Sequence, residues 1–186
     1  THMLNSKGRI QSELTITRFS NNIFYVLSST ASEIRDFDWF NRHLHKGENV
    51  NIKNVTKDYG VLVVAGPKSR KVLSQLTSQN LNNNYFPWLK GKEILINKIP
   101  VRALRVNYVG ELGWELHHPM SQMESLYDSI YEVGKKENII NFGTYAVNSL
   151  RMEKAYRGWG AELTGEISLV EAGMDRFFNL KKKNNF

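Results

Sequence analysis

Cysteine is absent from this chain of 186 residues. Disulfides and thiolate metal sites are therefore excluded, and no other metal-ligand set stands out. A reducing compartment fits, and a cytoplasmic location is the expectation. No apolar run approaches the length of a membrane span. No signal peptide is visible. No flavin-binding G-x-G-x-x-G lies near the start, so flavin is not expected in this chain. Repeats and low-complexity segments are missing too. Acidic residues are in deficit, 18 against 25 Lys plus Arg, which gives a net charge of +7. That balance favours anionic partners, either nucleic acid or a phosphorylated or polycarboxylate small molecule. A basic stripe interleaved with exposed aromatics is lacking, which disfavours nucleic acid.

What is present is enough apolar residue, 41%, for a real core. The length suits one substantial domain or two small packed ones. Thr1-His2 reads as a cloning remnant, and residues 3–186 as one domain with a subdivision near 45–60. ELTITRF, Glu13 to Phe19, alternates like a strand. Ser20-Asn21-Asn22 signals a turn, and IFYVLS reads as a buried partner strand. Ile34, Phe37, Phe40 and Leu44 mark one face of a helix over 31–45. A short strand over 58–65 is broken by Gly66-Pro67. Pro67 suits a first helical position, and Val72, Leu73 and Leu76 face inward from that helix. Strands follow near 92–97, 101–109 and 113–118. Ser121 with Glu124 matches a capping box, opening a helix through Met123, Leu126, Tyr127 and Ile130. A last helix spans 144–155, with Ala146, Val147 and Leu150 inward. Without a regular β-α rhythm, the fold class is α+β, with antiparallel or mixed sheets packed against helices. The basic run 181–183 reads as a solvated tail.

The densest chemistry lies in YVGELGWEL, Tyr108 to Leu116. With Glu111 and Leu112 at the tip of a tight hairpin, Tyr108 faces Glu115 across the strands. Glu115 is then a carboxylate embedded in an apolar strand, and it needs a charge partner or several donors. A flat heterocycle with adjacent N–H and NH₂ groups satisfies it in bidentate fashion. A bond to Tyr108, or a pair with Arg105, Arg102 or His117, satisfies it equally well. Glu111, at the tip, reads as solvated.

YVGELGWEL followed by SLRMEKAYRGWGAELTGEISLVEAGM resembles the folate-binding region of the aminomethyltransferase superfamily, which includes the glycine cleavage T-protein. The branch of dimethylglycine and sarcosine dehydrogenases is the most similar. MLNSKGRIQSELTITRF, VAGPKSRKVL and NNNYFPW also resemble segments of that branch. The resemblance implies tetrahydrofolate binding and one-carbon transfer of an aminomethyl or methylene unit. It makes Glu115 the carboxylate that holds the pterin and Tyr108 a folate-site tyrosine. It puts Glu13 at the position of the family's catalytic acid, which is otherwise Asp. Glu13 then steers the N5/N10 region or moves a proton, although an exposed charge is the other reading. Arg151 and Trp159 match the helix and loop after the site; bracing and ordinary core packing are their alternatives. Arg9 stands where the family has glycine, and a folate carboxylate is its candidate partner. Val147 stands where the T-proteins have an arginine beside the pterin.

The resemblance also implies a truncated unit. Family members carry a further segment before MLN and a C-terminal β-barrel. A missing N-terminal half or a flavoprotein subunit is accordingly a candidate partner, and homo-oligomerisation is expected. The rival function is a non-catalytic domain serving as a structural or interaction subunit. The one-carbon donor is not legible.

Overall fold

The computed structural model describes residues 1–177, 179 and 181. The chain folds as two units, taken here in turn. The first unit comprises Thr1–Ile16, Phe24–Ile52 and the chain from Arg157 onward. It begins in a strand pair, so the segment read as a cloning remnant has a structural place. β1 (His2–Leu4) runs antiparallel to β2 (Ile10–Glu13), with His2 opposite Glu13 and a bulge between Met3 and Leu4. The run Glu13 to Phe19, expected as one strand, is broken at Leu14. Leu14 turns its backbone to Thr1, each donating to the other's carbonyl at 2.8 Å.

β3 (Thr15–Ser20) and β4 (Ile23–Leu27) then form a two-stranded ribbon, and the unit boundary falls within it. β4 is not the buried strand its apolar run implies. Only Tyr25 is buried, while Ile23, Phe24 and Val26 are exposed. A ribbon of two strands has too few neighbours to cover both faces.

α1 (Glu33–Arg42) follows a 3₁₀ turn at Thr30–Ser32. Its expected apolar face is not the anchoring one. Ile34 is 85% exposed, and the buried residue is Asp36. A polar network fixes this helix, as described below. The unit's core is Ile10, Leu163 and Ala172, flanked by Leu4, Trp159, Ile167, Leu169 and Met174. The later chain clasps β2: the Arg9 guanidinium donates to the Glu166 carbonyl, and the Ile10 N–H to that of Ile167 at 3.1 Å.

The second unit comprises Thr17–Ile23 and Lys53–Tyr156. Its antiparallel sheet contains β5 (Tyr59–Ala65), β6 (Gly91–Ile96), β7 (Ile99–Leu104) and β8 (Gly113–Pro119), in the order β5-β8-β7-β6. Alternation sorts the side chains. Val64, Trp114, Leu116, Ala103, Val101, Ile94 and Ile96 form the core with Val72 and Leu73 of α2 (Ser69–Leu73) and Leu126 and Ile130 of α3 (Met123–Gly134). Full burial of side chains of this size contributes about 1.5–3 kcal/mol each. The opposite face carries Val61, Val63, Glu115, His117, Leu104 and Arg102, which face one another in register. An antiparallel sheet packed with helices is the expected α+β architecture.

Three local expectations are corrected. The Ser121–Glu124 capping box does not form, because a 3₁₀ turn over Met120–Gln122 runs into α3 and Gln122 takes the cap position without a side-chain bond. Pro67 precedes α2 by two residues, in a turn closed by Ser69 N–H on the Gly66 carbonyl at 3.0 Å. α4 (Thr144–Glu153) leaves Ala146 exposed and Val147 and Leu150 only half-buried; its buried residue is Arg151. Of the basic run 181–183, Lys181 is exposed, and the rest lies outside the described residues.

Candidate functional site

Glu115 sits on β8 between two β-ladders. Val63 of β5 is its partner on one side and Leu104 of β7 on the other. The tight hairpin that would set Tyr108 opposite Glu115 is absent. β7 ends at Leu104, and residues 105–112 form a loop. The side chain of Asn107 explains this. Its Oδ1 accepts the Val109 N–H at 3.0 Å, and its Nδ2 donates to the Glu111 carbonyl at 2.7 Å. The Leu112 carbonyl accepts the Gly66 N–H at 2.8 Å and the Ser69 hydroxyl at 3.0 Å. Backbone groups that a tight turn would pair are thereby satisfied elsewhere. Arg105 pairs instead with the other side, its N–H on the Lys90 carbonyl at 2.9 Å.

The Glu115 side chain is 24% exposed, and its Oε2 lies 3.4 Å from His117 Nε2. Of the open alternatives for a protein partner, His117 is therefore the one realised. Oε1 has no partner among the described residues. This half-buried oxygen is a free acceptor. The neighbouring strand edge borders a groove of about 450 Å³, lined by Val61 to Ala65 of β5, Tyr127 and Tyr131 of α3, and the segment from Ile139 to Val147. Glu115 is not among its lining residues; its cross-strand partner Val63 is. Apolar walls with a few polar groups, here Asn141, Thr144 and the two phenols, are the usual makeup of a small-molecule site. No pattern in the sequence pointed to the 139–143 segment, which belongs to no helix or strand.

Tyr108 projects from the 105–112 loop, its ring 6.2 Å from that of Tyr156. The same loop meets the end of α4 at Glu111, whose carboxylate lies 3.6 Å from Lys154 Nζ. Glu111 is thus paired as well as solvated. Gly110 adopts φ 70°, and a Cβ there would run into the Lys154 side chain. Arg151 is a brace: Nε donates to Asn148 Oδ1 at 2.9 Å and Nη1 to the Tyr156 carbonyl at 2.8 Å. Tyr108 and Arg151 are thereby joined through Tyr156.

Glu13 and Trp159 belong to the first unit. Glu13 ends β2, with Oε1 at 3.8 Å from His2 Nε2. Burial raises its carboxyl pKa above the ordinary value, and the nearby N-terminal ammonium opposes that rise. A raised pKa suits proton handling near neutrality. Trp159 is partly buried at the edge of the core and lines a cavity of about 240 Å³ with Ile10, Gln11, Arg35 and Leu163. The Arg35 guanidinium stacks on its ring, 4.8 Å from the centroid.

A network in this unit escaped the sequence reading. Asp36 Oδ2 accepts the Ser12 and Ser32 hydroxyls, each at 2.7 Å, and Oδ1 accepts Arg35 Nε at 3.1 Å and Nη2 at 2.9 Å. Burial alone would raise the Asp36 pKa, but these bonds and the Arg35 charge outweigh it and hold the carboxyl below its ordinary value. The only signal was an acid inside a run of aromatics. Among the described residues, no cluster of His, Cys, Asp and Glu can hold a metal, and no helix is long and apolar enough to cross a membrane.

The family model for the GCVT N-terminal domain matches residues 1–182. The chain belongs to this family. Human dimethylglycine dehydrogenase, mitochondrial, is 45% identical over 187 residues, covering all of this chain and 22% of that protein. The aminomethyltransferase of Alkaliphilus oremlandii (strain OhILAs) is 30% identical over 185 residues, covering 99% of this chain and 50% of that protein. The chain thus spans about a fifth of the first relative and half of the second. Among solved structures, the heterotetrameric sarcosine oxidase from Corynebacterium sp. U-96, in complex with pyrrole 2-carboxylate, matches with a TM-score of 0.57 at 17% identity. It covers 71% of this chain and 65% of that chain, and it shares the fold.

Proposed function

We propose that this GCVT-family chain binds tetrahydrofolate and takes part in one-carbon transfer, with Glu115 holding the aminopyrimidine edge of the pterin. The observation that carries this reading is the state of the Glu115 carboxylate. It is half-buried, one oxygen lies 3.4 Å from His117 Nε2 without a hydrogen bond between them, and the other is open. A carboxylate in that state accepts donors, and a pterin offers two adjacent ones. The groove beside Val63 is the right size for a flat ring, although Glu115 is not part of its wall. Bound tetrahydrofolate would supply the amine that receives the carbon. The chain's own task would be to hold the pterin through Glu115 and to wall the site with Tyr108; for Glu13, in the first unit, the family resemblance is what supports a role in moving a proton. Arg151, as a brace, would set the end of α4 against the 105–112 loop. The one-carbon donor, a flavoprotein or missing-half partner and self-association belong to the whole protein. A cytoplasmic setting is part of this reading, although the dehydrogenase relative is mitochondrial by name.

A second reading is favoured by the same contact. The His117 pair and the Arg151 brace make Glu115 and Arg151 structural, in a domain that serves assembly without binding folate. Titration calorimetry with tetrahydrofolate separates the two. The first reading expects saturable micromolar binding, weakened in Glu115→Ala by about 1.5–3 kcal/mol, or ten- to a hundredfold. Equal binding by the parent and the variant, or none by either, rejects it.

A further inference from the structure

A second feature of the sheet unit lies on the core face, away from Glu115. Three cations gather where the loop before β6 closes over Trp114. The Arg70 and Arg105 guanidinium carbons lie 5.8 Å and 5.7 Å from the Trp114 ring centroid. Lys92 Nζ lies 5.4 Å from the ring of Phe86, which packs edge-on against Trp114 at 6.1 Å. All three are only partly exposed. None of them has a carboxylate partner among the described residues.

Their bonds go to the loop instead. Arg70 Nε donates to the Leu81 carbonyl at 3.0 Å and Nη2 to Asn83 Oδ1 at 2.6 Å. Arg105 Nη1 donates to the Phe86 carbonyl at 2.6 Å, and Lys92 donates to that of Tyr85. Neutral oxygens do not cancel three charges. Burial, and then the charge of Arg70, push the Arg105 pKa below its ordinary value. A guanidinium carries five donors, so Arg70 keeps Nη1, and Arg105 keeps Nε and Nη2, for another acceptor. The indole N–H of Trp114 is also buried without a partner. Tyr85, Trp88 and Leu89 stand exposed on the same loop, an apolar flank beside the charges.

We propose that Arg70, Arg105 and Lys92 form an oxyanion site that takes a phosphate or carboxylate group of a small-molecule ligand. Like charges held together with donors to spare, and an orphan donor within the same cluster, are what an oxyanion resolves. The site is independent of the pterin reading, because it stands on the other face of the sheet.

The test is thermal unfolding of the full chain in inorganic phosphate and, separately, in citrate, with sodium chloride matching the ionic strength. A ligand of the folded state raises the midpoint in a saturable way. The expected result is a rise beyond that in chloride, with apparent affinity about tenfold weaker in Arg70→Gln. Lys71→Gln, from the same helix, should bind like the parent, since that ammonium pairs with Glu137 at 2.5 Å. Should Arg70→Gln fail to fold, Lys92→Gln should show a loss of about threefold. Tighter phosphate identifies a phosphorylated ligand, and tighter citrate a carboxylate one. Equal midpoints in phosphate, citrate and chloride, or equal shifts in the parent and both cation variants, overturn the proposal.

Discussion

Replacing Asp36 with alanine tests whether the first unit is held by its polar network. Ser12 is fully buried, so its hydroxyl would lose its acceptor with no water to replace it. That bond is charge-assisted and should cost about 1.5–3 kcal/mol to remove. Ser32 is less affected, because its hydroxyl also lies 2.9 Å from the Ser29 carbonyl. The Arg35 pair is partly exposed and adds about 0–1 kcal/mol. The total is about 3 kcal/mol. With a slope of about 2 kcal/mol per molar urea, the midpoint should fall by about 1.5 M. Urea unfolding followed by circular dichroism gives that midpoint, and amide exchange in residues 10–13 and 30–37 localises the loss. Asp36→Asn keeps one acceptor and should cost less. The sign with pH is also fixed. A lowered folded pKa makes the stabilisation complete above the unfolded value of 3.8, and it is lost as pH falls through the lower folded value. A midpoint shift below about 0.5 M for the alanine variant, under about 1 kcal/mol, would refute the reasoning.

Glu13→Gln should behave in the opposite sense. The folded pKa of Glu13 lies above the unfolded 4.5, so ionisation in the folded state costs stability as pH rises through that window. The glutamine variant should be more stable than the parent at pH 7 and equal to it at pH 3, read from urea midpoints at each pH; a less stable variant at pH 7 contradicts the burial argument. Gly113→Ala should destabilise the second unit by about 1–3 kcal/mol through overpacking. A Cβ there would lie 2.7 Å from the Val64 carbonyl oxygen and 2.9 Å from Asn107 Nδ2. An unchanged melting point would show that β5 and the 105–112 loop yield easily.

The strands and helices of the sheet unit were legible because one face is largely apolar and buried, while the other mixes buried Leu104 and His117 with exposed Val61 and Val63. Burial alternates along β7 from Ile99 to Ala103 but not along β8, and the inward stripe of α3 at Leu126 and Ile130 is as read from sequence. Register was less legible. A two-residue turn at Glu111-Leu112 and an eight-residue loop over 105–112 fit the same glycines. The choice is made by Asn107, whose side chain binds the backbone two and four residues on, at Val109 and Glu111. α1 failed for a related reason. Its aromatics suggest an apolar face, but Ser12 from β2 joins the adjacent Ser32 on Asp36, and a local pattern carries no record of the distant donor. The lone ribbon of β3 and β4 shows the limit of apolar runs as a burial signal.

The loss of the expected hairpin changes which residues can act together. With Tyr108 opposite Glu115, a phenol could have satisfied the acid and closed the question. With Leu104 opposite instead, Glu115 has an apolar neighbour on each side and a single imidazole along its own strand. An apolar setting strengthens any bond the open oxygen makes, because less water competes for it. The same setting makes the carboxylate costly if nothing ever binds it. His117 lies 3.4 Å from one oxygen without a hydrogen bond, so the carboxylate keeps acceptor capacity for a ligand. The single contact serves either reading, and the measured affinity of Glu115→Ala decides between them.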